Sequence, residues 1–192
     1  MLRRFSRFGT LVCVCLAAIA VVSCGPGGAK DARDAAPVLT ISGAIGKTNR
    51  GPVDPFKDAF LAAHGAEFDR AFQFTRPALA ALGMKEVVVK RANWPAAITA
   101  RGPALRDVLR AVDAKGAFAT LVALDGYSAR FPISALQSDD IILAIEADGA
   151  PLAIGGRGPT WLVFNTGKVQ GDEGTADDGL VWSAYYIKIE DE

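Results

Sequence analysis

Residues 117–133 read AFATLVALDGYSARFPI, and they decide the architecture. Phe118 to Leu124 is rich in apolar and β-branched residues, and a second such run goes from Tyr127 to Phe131. Between them sits Asp125-Gly126, the turn chemistry of a tight hairpin, because glycine takes positive φ at no steric cost. The arrangement recurs in IILAIEADGAPLA, 141–153, where Ile141 to Ala147 reads as a strand and Asp148-Gly149 as its turn. Antiparallel neighbours can be joined by two residues, whereas parallel ones need a long crossover. The predicted class is therefore α+β, a mainly antiparallel sheet with short helices, and not a doubly wound nucleotide fold.

The flanking segments agree. PVLTISG (37–43), MKEVVVK (84–90), PTWLVFN (159–165) and VWSAYYIKIE (181–190) read as further strands. In 66–75, Phe72 and Phe74 share a strand face, while Phe68 to Phe72 has helical spacing, so that segment stays ambiguous. FKDAFLAAHG (56–65) places Phe56, Phe60 and Leu61 on one side of a short helix closed by Gly65. Thr75 is placed to cap another, with Pro77 in its first turn and Gly83 beyond its end. The clearest helix follows Pro103, where Leu105, Val108, Leu109 and Val112 form a stripe at helical spacing. SALQ (134–137) reads as one short helical turn. The count is seven or eight strands and three short helices.

The N-terminus has a different character. Arg3, Arg4 and Arg7 precede an uncharged, mostly apolar stretch from Gly9 to Val22. It is short for a membrane span, which takes about 20 apolar residues, and it suits the apolar region of a secretory signal. The stretch ends in Val21-Val22-Ser23-Cys24. These four residues resemble the lipobox of bacterial lipoproteins, in which cleavage precedes a cysteine that becomes acylated. The resemblance implies a signal peptide at 1–23 and lipid attachment at Cys24. GPGGAKDARDAA then forms a flexible tether, 24–36 including the cysteine, ahead of a domain at 37–192. Arg3-Arg4 is read as ordinary signal charge, because Phe5 follows at once without a twin-arginine motif. The implied location is the cell envelope, facing the periplasm, with the outer membrane favoured over the inner because Gly25 carries no acidic retention signal.

Composition excludes several classes of function. The three arginines of the signal belong to a total of 21 basic against 21 acidic side chains, so the remainder carries 18 against 21, about −3. No basic stripe is present, which argues against nucleic acid. The single histidine, His64, and three cysteines, Cys13, Cys15 and Cys24, leave no set for a zinc or iron site. There is no G-x-S-x-G, and Ser128 has no visible base. His64 reads as a helix-terminal residue suited to the dipole. Gly155, Gly156 and Gly158 lack phosphate-loop spacing and read as a turn. Asp139-Asp140 and Asp177-Asp178 are adjacent charges that point apart on a strand. Residues 171–179 lack the order of a calcium-binding hand and read as a solvated acidic loop. Among aromatics, Trp94 and Tyr127 border loops and are pocket-rim candidates, while Trp161 and Trp182 read as core.

Taken in order, VLTISGAIG, FTRPALAALG, RGPALRDVLRAV, LVALDGYSARFPISAL, IILAIEADGAPLAIGGRGPTWLVF and a final W-x-x-x-x-I-x-I resemble the molybdopterin-binding oxidoreductase domain of the sulfite-oxidase type. The resemblance covers about residues 38–190, and the order of the motifs carries it. It implies a molybdopterin cofactor and a molybdenum held by one protein cysteine between the strand like MKEVVVK and the helix like ALRDVLRAV. This sequence has KRANWPAAITARGP there, without cysteine. A soft thiolate suits molybdenum, and nothing after Cys24 supplies one.

Two expectations follow. The first is a membrane-anchored lipoprotein with this fold but without molybdenum catalysis. It would act as a binding or accessory module for a small ligand or another envelope protein. The alternative is a molybdopterin-dependent oxidoreductase with atypical metal ligation. Trp94, Arg101, Tyr127, Arg130 and Arg157 are the cofactor-binding candidates, with Arg91 a further possible phosphate contact, since guanidinium forks suit phosphate. A third class is a structural envelope protein with no pocket.

Overall fold

The computed structural model describes residues 36–91, 94–164 and 180–192. In chain order they form β1 (Pro37–Gly43), α1 (Ala59–Ala63), β2 (Ala71–Thr75), α2 (Arg76–Ala80), β3 (Lys85–Val89), β4 (Ile98–Gly102) and α3 (Leu105–Ala111). These are followed by β5 (Phe118–Ala123), β6 (Ser128–Pro132), a 3-10 turn (Ile133–Leu136), β7 (Ile142–Ala144), β8 (Glu146–Ala147), β9 (Ala150–Pro151), β10 (Trp161–Val163) and β11 (Ala184–Glu190). The class is mixed α+β with mostly antiparallel sheets and few, short helices.

The Asp125-Gly126 hairpin forms as its sequence dictates. β5 and β6 pair antiparallel with Leu121 opposite Ala129, and Gly126 takes φ +87°. These strands make one edge of a five-stranded sheet in the order β2-β1-β11-β5-β6. The centre of that sheet holds the parallel pair of the named strands, β1 with β11, in which Ile41 lies opposite Ile187. A four-stranded sheet runs β3-β4-β8-β9, and β10 pairs with β7.

One core spans these sheets. Leu39 and Ile41 of β1 and Ile187 and Ile189 of β11 join Leu105, Val108, Leu109 and Val112, the predicted helical stripe, all buried. A smaller cluster of Leu61, Ala66 and Tyr186 is packed by Val53, Phe68, Val122 and Tyr185. The Ser42 and Tyr186 hydroxyls lie 2.6 Å apart in this second layer, so two buried polar groups satisfy each other. Thr75 Oγ1 accepts from the Ala78 amide at 3.2 Å, the cap expected for α2.

Three expectations need correction. The single strand expected from Ile141 to Ala147 is split: Ile142–Ala144 pairs with β10, and Glu146–Ala147 pairs with β4 and β9. The amides of Leu143 and Ile145 donate to Pro103 O and Arg101 O, both at 2.9 Å, which carries the chain from one sheet to the other. β4 itself went unforeseen. Its Ile98-Thr99-Ala100-Arg101-Gly102 has little apolar bulk and gains its place by pairing on both sides. Gly102 lets β7 cross close beside it, because a Cβ there would lie 2.0 Å from Leu143 O. Finally, of the three residues assigned to the inner side of α1, only Leu61 is buried, whereas Phe56 is 93% and Phe60 57% exposed. The 54–58 turn aims Phe56 outward: Asp54 accepts from the Phe56 and Lys57 amides, and Arg50 holds Asp58 at 2.5 Å.

The signal peptide, Cys24 and all but the last residue of the tether lie outside the described residues, as does the acidic loop at 171–179. Among the described residues, no helix is long and apolar enough to cross a membrane.

Candidate functional site

All three tryptophans of the chain converge on one arginine. Trp94 lies in the link from β3 to β4, Trp161 opens β10, and Trp182 sits in the turn before β11. Arg157 occupies the tight turn after Ile154. Hydrogen bonding fixes that turn against the approach to β11. Ser183 N donates to Arg157 O at 2.9 Å, Ser183 Oγ to Gly156 O at 3.0 Å, and Thr160 Oγ1 to Ala184 O at 2.6 Å. The Arg157 guanidinium carbon then stands 5.0 Å from the ring centroid of each tryptophan, within cation–π range. The Trp94 and Trp161 rings are 5.9 Å apart at 46°.

A second guanidinium joins them. Arg91 is buried, its Cζ lies 5.9 Å from the Trp94 ring, and its Nη2 reaches Phe164 O at 3.5 Å. Trp161 is fully buried. Its Nε1 and the Nε of Arg157 are shielded from water and meet no hydrogen-bond acceptor among the described residues. Such buried donors cost about 1–3 kcal/mol each when unsatisfied. Both are donors only, as is any guanidinium. The cluster thus offers the Arg157 guanidinium, hidden donors and aromatic faces, a set chemically suited to a planar anion.

Sequence reasoning selected Trp94 and Arg157, and the fold brings these two together. It places the other three candidates among different neighbours. Arg101 on β4 pairs with Glu146 at 3.0 Å and lies 3.9 Å from Glu86. Arg130 on β6 lays its guanidinium 3.5 Å above the Phe118 ring. Tyr127 is exposed at the β5–β6 corner, where its amide donates to Asp125. Trp161 and Trp182, read as core, belong to the cluster. Trp161 is indeed fully buried, and Trp182 is 48% exposed.

A concavity lies across β1. It is a groove of about 280 Å³ whose lining includes Pro37, Phe60, Leu124, Ile154, Pro159 and Tyr185. His64, at the C-terminal end of α1 as expected, has its Nδ1 2.8 Å from the Tyr185 hydroxyl. Phe60, His64 and Tyr185 form a ring triad with centroids 5.9–6.3 Å apart. Burial, aided by the neighbouring Tyr186, pushes the Tyr185 phenol up to about 12, so it remains a neutral hydrogen-bonding group and not a base. Among the described residues, no group of three or more histidine, cysteine or acidic side chains is placed to hold a metal.

Neither a family model nor a curated protein matches this chain.

Proposed function

We propose that the chain is a lipid-anchored, extracytoplasmic binding module with a sulfite-oxidase-type molybdopterin-binding fold, and that it holds an anionic, conjugated ligand at Arg157. The observation that carries this reading is the meeting of Arg157 with Trp94, Trp161 and Trp182 beside buried donors. Arg157 would neutralise the anion, and the half-exposed Trp182 and partly buried Trp94 would stack on its conjugated part. The order of the motifs supports the family's fold, and Val21-Val22-Ser23-Cys24 supports the anchor.

The residues do not fit the family's metal. Molybdenum would need a thiolate between β3 and α3, yet 90–103 contains no cysteine and Cys24 is the last in the sequence. Arginine and indole N–H groups are donors and cannot ligate a cation. The module reading therefore replaces molybdenum catalysis with capture.

The test uses protein purified from its native host and titrated with a phosphorylated pterin and with inorganic phosphate. Saturable tryptophan quenching by the pterin is expected, weakened about tenfold, or ~1.4 kcal/mol, in Arg157→Met. No saturable response to either probe would overturn ligand capture. Stoichiometric molybdenum by elemental analysis would overturn the noncatalytic assignment and restore the oxidoreductase alternative. Cys24→Ala should remove the acyl mass and release the protein from membranes; unchanged fractionation would refute the anchor.

A further inference from the structure

We propose that the groove at the start of β1 is the membrane-facing side of the domain, with Phe56, Phe60 and Ile154 seated in the interfacial layer of the bilayer. The proposal rests on the lipid-anchor reading of Cys24. Its structural basis is a set of large apolar side chains left in solvent. Phe56 is 93%, Ile154 75% and Phe60 57% exposed. Phe60 and Ile154 line one groove, and Lys57, the neighbour of Phe56, lines it too. Single exposed apolar residues need no explanation, but a grouped set marks an interaction surface.

The site where the tether arrives selects the partner. Pro37, the first residue of β1, lines the same groove. A lipidated Cys24 reaches it through only the 24–36 tether. A flexible chain of that length has an r.m.s. span of about 20 Å, and fully extended it reaches only about 45 Å. The groove is therefore the part of the domain held nearest the lipid, and tethering raises the effective concentration of bilayer around it. A protein partner would gain no such advantage.

The charges agree. Both carboxylates of the 54–58 turn carry a cation: Asp54 pairs with Lys57 at 3.2 Å and Asp58 with Arg50 at 2.5 Å. The turn can approach anionic lipid without uncompensated negative charge. Phe60 packs against His64 and Tyr185, which pair through Nδ1 and the hydroxyl. Aromatic side chains with a polar tip suit the headgroup level.

The experiment uses the full chain as isolated from its native host, reconstituted in vesicles of phosphatidylethanolamine and phosphatidylglycerol that contain a lipid with a diazirine in its acyl chain. After photolysis, one digest reports both the acyl mass on the Cys24 peptide and the labelled positions. The expected result is label on peptides 54–61 and 152–157. In Phe56→Ser the label on 54–61 should fall several-fold, and in Phe56→Ser/Phe60→Ser about tenfold, with Cys24 still acylated. Val88→Ser, exposed on β3, should leave the pattern unchanged. Acylated Cys24 with both peptides unlabelled overturns the docking and leaves the anchor standing, whether a second copy or another protein covers the face. Label on both peptides with Cys24 unmodified refutes the anchor and upholds the docking. Neither modification overturns both.

Discussion

Arg157 Cζ stands 5.0 Å from the centroid of the fully buried Trp161 ring. The same cation meets Trp94 and Trp182, so one side chain orders three indoles from distant parts of the sequence. Arg157→Met keeps the aliphatic stem and removes the charge. It should change the near-ultraviolet circular dichroism of the tryptophans and leave the far-ultraviolet spectrum intact. The stability cost should stay near ~1 kcal/mol: the lost cation–π attraction is offset by removal of a buried Nε that meets no acceptor among the described residues. Unchanged near-ultraviolet ellipticity would show that the cluster does not persist in solution.

Asp58 sets an acid limit. The hydrogen bond from Arg50 is the largest influence on its carboxyl and, with the Asp54 amide, outweighs burial to hold it below its ordinary value of 3.8. A depressed carboxylate contributes stability that is fully present above the unfolded value and lost as pH falls through the folded one. Urea midpoints should therefore decline as pH falls below about 4. Asp58→Asn should cost about 1–2 kcal/mol at neutral pH and flatten that decline. A variant with the same acid slope as the parent would exclude this pair as the cause.

Tyr185 sets an alkaline limit. Its phenol ionises at about 12 in the folded chain, against 10.0 ordinarily, because burial disfavours the anion. The unfolded chain then releases this proton first, so stability falls as pH rises from 10 toward 12. Tyr186 is shifted upward as well, chiefly by burial. Absorbance at 295 nm, a wavelength that reads phenolate, should show a late step near the upper value. Tyr185→Phe should abolish that step; its survival would assign it elsewhere.

Gly102 tests the crossing of the two sheets. An added Cβ would lie 2.0 Å from Leu143 O and 2.7 Å from Ala144 Cα, both backbone atoms that cannot swing aside. Gly102→Ala should cost about 3 kcal/mol, the upper end for overpacking. Gly51→Ala, with nothing within 4 Å, should change stability by less than ~0.5 kcal/mol. Equal denaturation midpoints for the two variants would show that β4 and β7 do not approach so closely.

These features were not equally legible in the sequence. Asp125-Gly126 announces its hairpin because the turn, both strands and their register are local. The same holds for Leu105, Val108, Leu109 and Val112, whose burial follows from helical spacing, and for the Thr75 cap. β4 was hidden because Ala100 and Gly102 contribute by being small, a role that hydrophobic patterning does not register. Pairing of Ile41 with Ile187 spans almost the whole domain and leaves no local mark. The site shows the same division. Trp94 and Arg157 could be chosen from their loops, but the 5.9 Å approach of Trp94 to Trp161 depends on β10 finding β7. Phe56 and Phe60 misled for the opposite reason: helical spacing suggested a buried side in a helix only five residues long.

The position of β11 has a consequence for how the sheet opens. Residues 184–190 sit between β1–β2 and β5–β6, and their bonds to β1 on one side and to β5 on the other join the two halves of the sheet. Release of this one strand would part the sheet along its middle. β11 is thus its keystone, and its amides belong to the last group to exchange with solvent.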